Sequence, residues 1–203
     1  KNYQDTPTIR AAPLGIRTKL FLAFENRLPV FFDIQQRFQE IFPHVEAIKV
    51  VPFFFDEQAK TFIETHLSIQ LKEQGVANWI SQSNISAGML RALFHLADLY
   101  LISDGSVLLM DEFENSLGVN CIDELVSDML VSSRQLQYIL TSHHPYIINT
   151  IPFTNWKLVT RKAGVVKTHD PSRWDFGRSK HDAFMQLMQL EEFQTGREMS
   201  LPG

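Results

Sequence analysis

The residues best suited to chemistry fall in three short stretches. Val107-Leu108-Leu109-Met110 is an apolar run that stops at Asp111-Glu112. Side chains alternate along an extended chain, so two adjacent acids at a strand end point in different directions. One can hold a hydrated Mg²⁺ while the other takes a proton from an attacking water. A solvated strand end has the same composition, so the pair alone does not define a site. Ser86-Ala87-Gly88-Met89 stands at a predicted helix start. There a hydroxyl, a residue without Cβ and unpaired backbone N–H groups make an anion site. An ordinary Ser cap followed by Gly in the first turn gives the same letters. Thr141-Ser142-His143-His144-Pro145 follows a second apolar run, Tyr138-Ile139-Leu140. A histidine in that place can donate to a phosphate oxygen or orient a water. Joint metal ligation by His143 and His144 is disfavoured, because adjacent side chains rarely share an ion and neither Cys nor a further acid follows nearby.

These stretches need elements to hold them. Leu90, Leu93, Phe94, Ala97, Tyr100 and Leu101 repeat at helical spacing after Ser86. A turn at Asp104-Gly105 leads into the strand with the two acids, a helix over 120–132 and the strand before His143. Two further strands are expected over 156–160 and 165–169, joined by a turn at Ala163-Gly164. Short, fully apolar strands alternating with helices predict a parallel sheet covered on both faces. In such sheets chemistry collects beyond the carboxyl ends of the strands, where the acids and the histidine both fall.

Upstream, 19–42 reads as helical, with Phe31, Ile34, Phe38 and Ile41 or Phe42 on one stripe. Pro29 divides it and Pro43 ends it. The run AIKVVPFFF, the turn DEQAK, and the alternation of Ile63, Thr65, Leu67, Ile69 and Leu71 with polar residues predict a hairpin. Residues 1–18 have no clear period and are expected to be a surface lead-in or joined fragments. A terminal helix is expected over 179–189, with Phe184, Leu187 and Met188 packing on the core.

With 203 residues, 44% of them hydrophobic, the chain is long enough for one globular domain with a sizeable core. The net charge of −4 excludes a chain that is polybasic throughout, while leaving a local basic patch open. A single Cys121 excludes an internal disulfide framework and a multi-cysteine metal site, and fits a reducing compartment. No apolar run reaches the ~20 residues of a membrane-spanning helix. The chain starts at Lys1 and shows no signal pattern, so it reads as cytoplasmic and as part of a longer polypeptide.

In this order, the three stretches resemble the second half of an ABC-type ATPase head, of the soluble SMC and OLD kind. Asn84-Ile85-Ser86-Ala87-Gly88-Met89-Leu90-Arg91 is similar to the signature motif, and Val107 to Glu112 to Walker B. Asn115-Ser116-Leu117-Gly118 is similar to the D-loop, and His143 to the switch histidine. The resemblance covers 84–149, and the flanks look like the stand-alone ATPases of Septu and retron-type phage-defence systems. It implies a single ABC-type domain over 1–203: a helical and hairpin lead-in over 19–80, a core over 81–170, and a C-terminal helix and tail over 171–203. It implies an α/β P-loop fold, mostly parallel with an antiparallel hairpin, that hydrolyses ATP with Mg²⁺ as a homodimer sandwiching the nucleotide. Asp111 would assist Mg²⁺ through water, Glu112 would polarise the attacking water, and His143 would contact the γ-phosphate side. Ser86, Ala87, Gly88, Met89 and Arg91 would meet the ATP held by the partner protomer, beside the D-loop residues Asn115, Ser116 and Leu117.

Three departures qualify the resemblance. The phosphate loop G-x-x-x-x-G-K-[ST] does not occur, since none of the nine glycines precedes a lysine. An N-terminal lobe outside this sequence is expected to carry it. Gly118 stands where transporters usually have Asp, and Ala87 replaces the first signature glycine. The leading expectation is an ATPase dimer that gates a separate effector, a nuclease above all, in antiphage defence. The alternatives are a DNA clamp or repair head, using Arg161, Lys162, Arg173, Arg178 and Lys180, and a slow nucleotide-sensing scaffold.

Overall fold

Three helices open the chain. α1 spans Thr6–Ala11, α2 Ile16–Glu25 and α3 Pro29–Ile41. A computed structural model describes residues 3–52, 67–162, 164–170 and 186, in two compact units, Lys1–Leu140 and Thr141–Gly203. The stretch expected to be a surface lead-in or joined fragments instead holds α1. Asp5 caps it by accepting the Thr8 N–H at 2.7 Å, and Ile9 is fully buried. Six residues are too few to display a period, so only the cap and the proline in the first turn marked this helix. α2 begins three residues before the expected 19, and Pro29 opens α3 as expected. Phe31, Ile34 and Phe38 are buried along α3.

β1, Val45–Pro52, pairs antiparallel with β2, Leu67–Glu73, which pairs with the short β3, Ile80–Ser81. The expected hairpin is therefore present from Leu67 on; 53–66, including the DEQAK turn, lie outside the described residues. In β2, Leu67, Ile69 and Leu71 are buried and their neighbours are not, which is the period of two that the alternation predicted. Next come α4, Ala87–Leu101, β4, Val107–Met110, α5, Val119–Val131, and β5, Gln137–Leu140. β4 and β5 pair in parallel with Leu109 opposite Ile139. α4 packs against α2, α3 and α5. Its Leu93, Leu96 and Leu101 are fully buried with Ile34 and Phe38 of α3 and Ile122 and Leu125 of α5. Each such side chain contributes roughly 1.5–3 kcal/mol.

One expectation about β4 is corrected. It is not buried on both faces: Leu108 and Met110 are 6% and 8% exposed, but Val107 and Leu109 are 50% and 77% exposed, and Ile139 53%. Among the described residues the parallel sheet has two strands with one face covered, so an apolar sequence did not mean two-sided burial here.

The last turn of α4 is fixed by cations from distant parts of the chain. Arg10 Nε donates to the Tyr100 carbonyl and Lys19 Nζ to that of Leu101. Arg134 donates to the carbonyls of Leu99 and Ile102 and pairs with Asp104. Helix C-termini leave carbonyls without partners and carry partial negative charge, and three cations answer both needs. Burial, with the Arg134 charge adding to it, pushes the Lys19 amine below its ordinary value.

The second unit holds α6, Pro145–Thr150, and an antiparallel hairpin of β6, Leu158–Lys162, and β7, Val165–His169. Gly164 turns it at φ +81°, as the Ala163-Gly164 pair predicted. The expected terminal helix over 179–189 lies outside the described residues apart from Gln186, which is helical. Among the described residues no helix is long and apolar enough to cross a membrane.

Candidate functional site

The start of α4 and the loop after β4 build the site. Ser86 is the N-cap of α4: its backbone is extended and its Oγ accepts the Met89 N–H at 3.2 Å. That satisfies one of the helix's free donors. Ser86 and Ala87 are exposed, and Gly88 and Met89 are half-buried.

After β4 the chain turns sharply. Asp111 and Glu112 are exposed, while Phe113 between Glu112 and Glu114 is fully buried and anchors the turn. Glu112 adopts φ +46° and Ser116 φ +64°. Left-handed backbone at a non-glycine residue costs on the order of 1–2 kcal/mol, so surrounding contacts must hold it. The Asn115 N–H donates to the Glu112 carbonyl at 2.9 Å and the Leu117 N–H to the Glu114 carbonyl at 3.0 Å. Gly118 then caps α5.

Helix and loop interlock. A Cβ on Gly88 would lie 2.3 Å from the Ser116 carbonyl oxygen, so only glycine lets them approach this closely. One turn on, Arg91 Nη2 donates to the carbonyls of Asp111 at 3.2 Å and Glu112 at 2.9 Å. Gly88 and Arg91 are thus brought against Asp111, Glu112, Ser116 and Leu117. Asn115 and Ser116 are exposed and joined by a hydroxyl-to-amide bond of 3.2 Å, and Leu117 is half-buried.

Beneath this layer, Arg91, His95 and Asp98 of α4 and β4 line a cleft of about 360 Å³. The His95 ring lies 5.1 Å from that of Phe113, tilted by 42°, and its Nε2 is buried without a hydrogen-bond partner. Burial, with the Arg91 charge adding to it, lowers its pKa to about 4. Burial raises the Asp98 carboxyl to about 6, against the Lys19 charge. Sequence reasoning missed Phe113, His95 and the target of Arg91. The spacing of Gly88 and Arg91 was the available signal, since i and i+3 share a helix face.

His143 is exposed in the second unit, between β5 and α6. His144 does separate work: its Nδ1 accepts the Tyr146 N–H at 3.3 Å at the start of α6. Among the described residues no group of three His, Cys, Asp or Glu gathers to hold a metal. Mg²⁺ commonly takes one or two carboxylates with water and substrate phosphates rather than a protein cage. The exposed Asp111 is such a carboxylate, and the open start of α4 suits a phosphate.

The site is thus a capped helix start locked against a strand-end acid pair, on an α/β frame with a parallel strand pair. The chain belongs to the family described as "AAA domain, putative AbiEii toxin, Type IV TA system", whose sequence model matches residues 10–149. Its fold is similar to that of an SMC ATPase solved in work on ATP-driven dimerization and DNA-stimulated activation. That match has a TM-score of 0.53 at 15% identity and covers 85% of this chain and 96% of the other. It is also similar to the Smc head domain with a coiled coil and joint from Pyrococcus yayanosii, with a TM-score of 0.54 at 15% identity. There 85% of this chain is covered and 31% of the other. No curated protein matches the chain.

Proposed function

We propose that this chain supplies the signature, Walker B, D-loop and switch-histidine elements of a Mg·ATP-driven dimer. The observation that carries the reading is the interlock of the α4 start with the 111–118 loop through Gly88 and Arg91. It ties the surface that would meet a partner's nucleotide to the acids that would act on the chain's own. Ser86 and the N–H groups of the first turn of α4 would receive the γ-phosphate of ATP held by the partner. Glu112 would accept a proton from the attacking water, and His143 would donate to a phosphate oxygen. Asp111 would hold Mg²⁺ through water, and the ion when bound would neutralise phosphate charge. Asn115, Ser116 and Leu117 would line the dimer seam. Rate enhancement would come mainly from positioning and charge stabilisation.

The dimer would gate a separate effector, a nuclease above all, in antiphage defence. The toxin–antitoxin description of the family supports a defence setting. A DNA clamp is the second reading; of its expected basic residues Arg161 is exposed on β6, the side chain of Lys162 is not described, and Arg173, Arg178 and Lys180 lie outside the described residues. DNA binding that weakens steeply with salt would favour it. The dimer is tested with Ser86→Arg, which places a bulky charge on the proposed phosphate surface. Wild type is expected to dimerise with ATP and the variant to stay monomeric in size-exclusion chromatography. ATP-dependent dimers of the variant would overturn the reading.

A further inference from the structure

Arg91 holds two carbonyls that flank a single residue. The Asp111 carbonyl belongs to the peptide plane before Glu112, and the Glu112 carbonyl to the plane after it. Orienting both planes sets the φ and ψ between them, and with them the direction of the Glu112 side chain. The backbone there is at φ +46°, a conformation a glutamate does not keep unaided. Three residues before Arg91 on the same helix, Gly88 meets the Ser116 carbonyl of the same loop.

We infer that Arg91 is a positioning residue for Glu112, acting through the backbone rather than on nucleotide, and that it couples the start of α4 to the carboxylate. This rests on the ATPase reading above. A phosphate engaged at Ser86 and the Gly88 N–H bears on the first turn of α4. Arg91, one turn further along the same rigid helix, transmits that to the strand end. The partner's nucleotide thereby sets the geometry of the carboxylate serving the other site.

The test is a double-mutant cycle on ATP turnover in the full-length protein. Arg91→Met is expected to lower kcat by about a hundredfold, with KM changed less than about threefold and ATP-dependent dimers retained. Arg91→Lys, which keeps the charge, is expected to recover roughly tenfold of that loss. In a Glu112→Gln background, Arg91→Met is expected to change the residual rate less than about twofold, because the group it positions is already gone. Losses that multiply in the double variant, or loss of ATP-dependent dimers with kcat intact, overturn the proposal while leaving the ATPase reading in place. Wild-type turnover by Glu112→Gln alone overturns that reading, and this inference with it. Should Arg91→Met lose its cooperative thermal transition, the cycle run with Arg91→Lys decides by the same comparison.

Discussion

At the scale of single residues, Gly88 carries a sharp steric demand. The Cβ of Gly88→Ala would stand 2.3 Å from the Ser116 carbonyl, a backbone atom that cannot swing aside like a side chain. The variant is expected to lose roughly 1–3 kcal/mol in urea denaturation, the usual cost of overpacking. It is also expected to lose ATP-dependent dimerization, because the loop must move; wild-type values in both would contradict the interlock. Placement of the chemical groups was legible in the sequence. A hydroxyl before a helical stripe reads as a cap, and an apolar run ending in two acids reads as a strand end, as Ser86 and Asp111-Glu112 show. What held those groups was not legible. Arg91 donates to carbonyls twenty and twenty-one residues away, and every residue offers a carbonyl, so residue types cannot single them out.

At the scale of elements, α4 is the hub, and two half-buried titratable residues on it make its environment measurable. His95 titrates near 4 when folded and near 6.5 when unfolded. The unfolded state binds the proton more readily, so this term of stability is present above pH 6.5 and lost as pH falls through 4. Asp98 is raised from 3.8 to about 6, so its term is present below pH 3.8 and lost as pH rises through 6. Between pH 4 and 6 the two slopes oppose each other. Asp98→Asn removes one of them, and its stability relative to wild type is expected to rise between pH 4 and 6.5 by on the order of 3 kcal/mol. Urea midpoints across that range check the sign, and a pH-independent difference would contradict the burial of Asp98. Neither residue stood out in the sequence, because a His and an Asp on an amphipathic helix are equally compatible with a solvated face. The helix itself was plain from its period, whereas α1 was too short to show one. The cations that secure the end of α4 come from positions 10, 19 and 134, joined only by the fold.

At the scale of the whole molecule, the chain belongs to the AAA-domain family and its fold is similar to that of SMC ATPase heads. Alternation of helix and apolar strand predicted the α/β class because that pattern reflects the layers themselves. It overstated the burial of β4, since apolar composition records what a strand can bury rather than what covers it. The exposed Val107, Leu109 and Ile139 show the difference. In the proposed reading, Glu112, delivered by β4 and held by α4, activates water for ATP hydrolysis across a dimer. ATP turnover by the full-length protein, wild type against Glu112→Gln, with oligomeric state followed in the same samples, tests it most directly. The variant is expected to lose turnover by roughly a hundredfold or more, the scale of a missing general base, while ATP-bound dimers accumulate. Turnover at the wild-type rate in Glu112→Gln would contradict it.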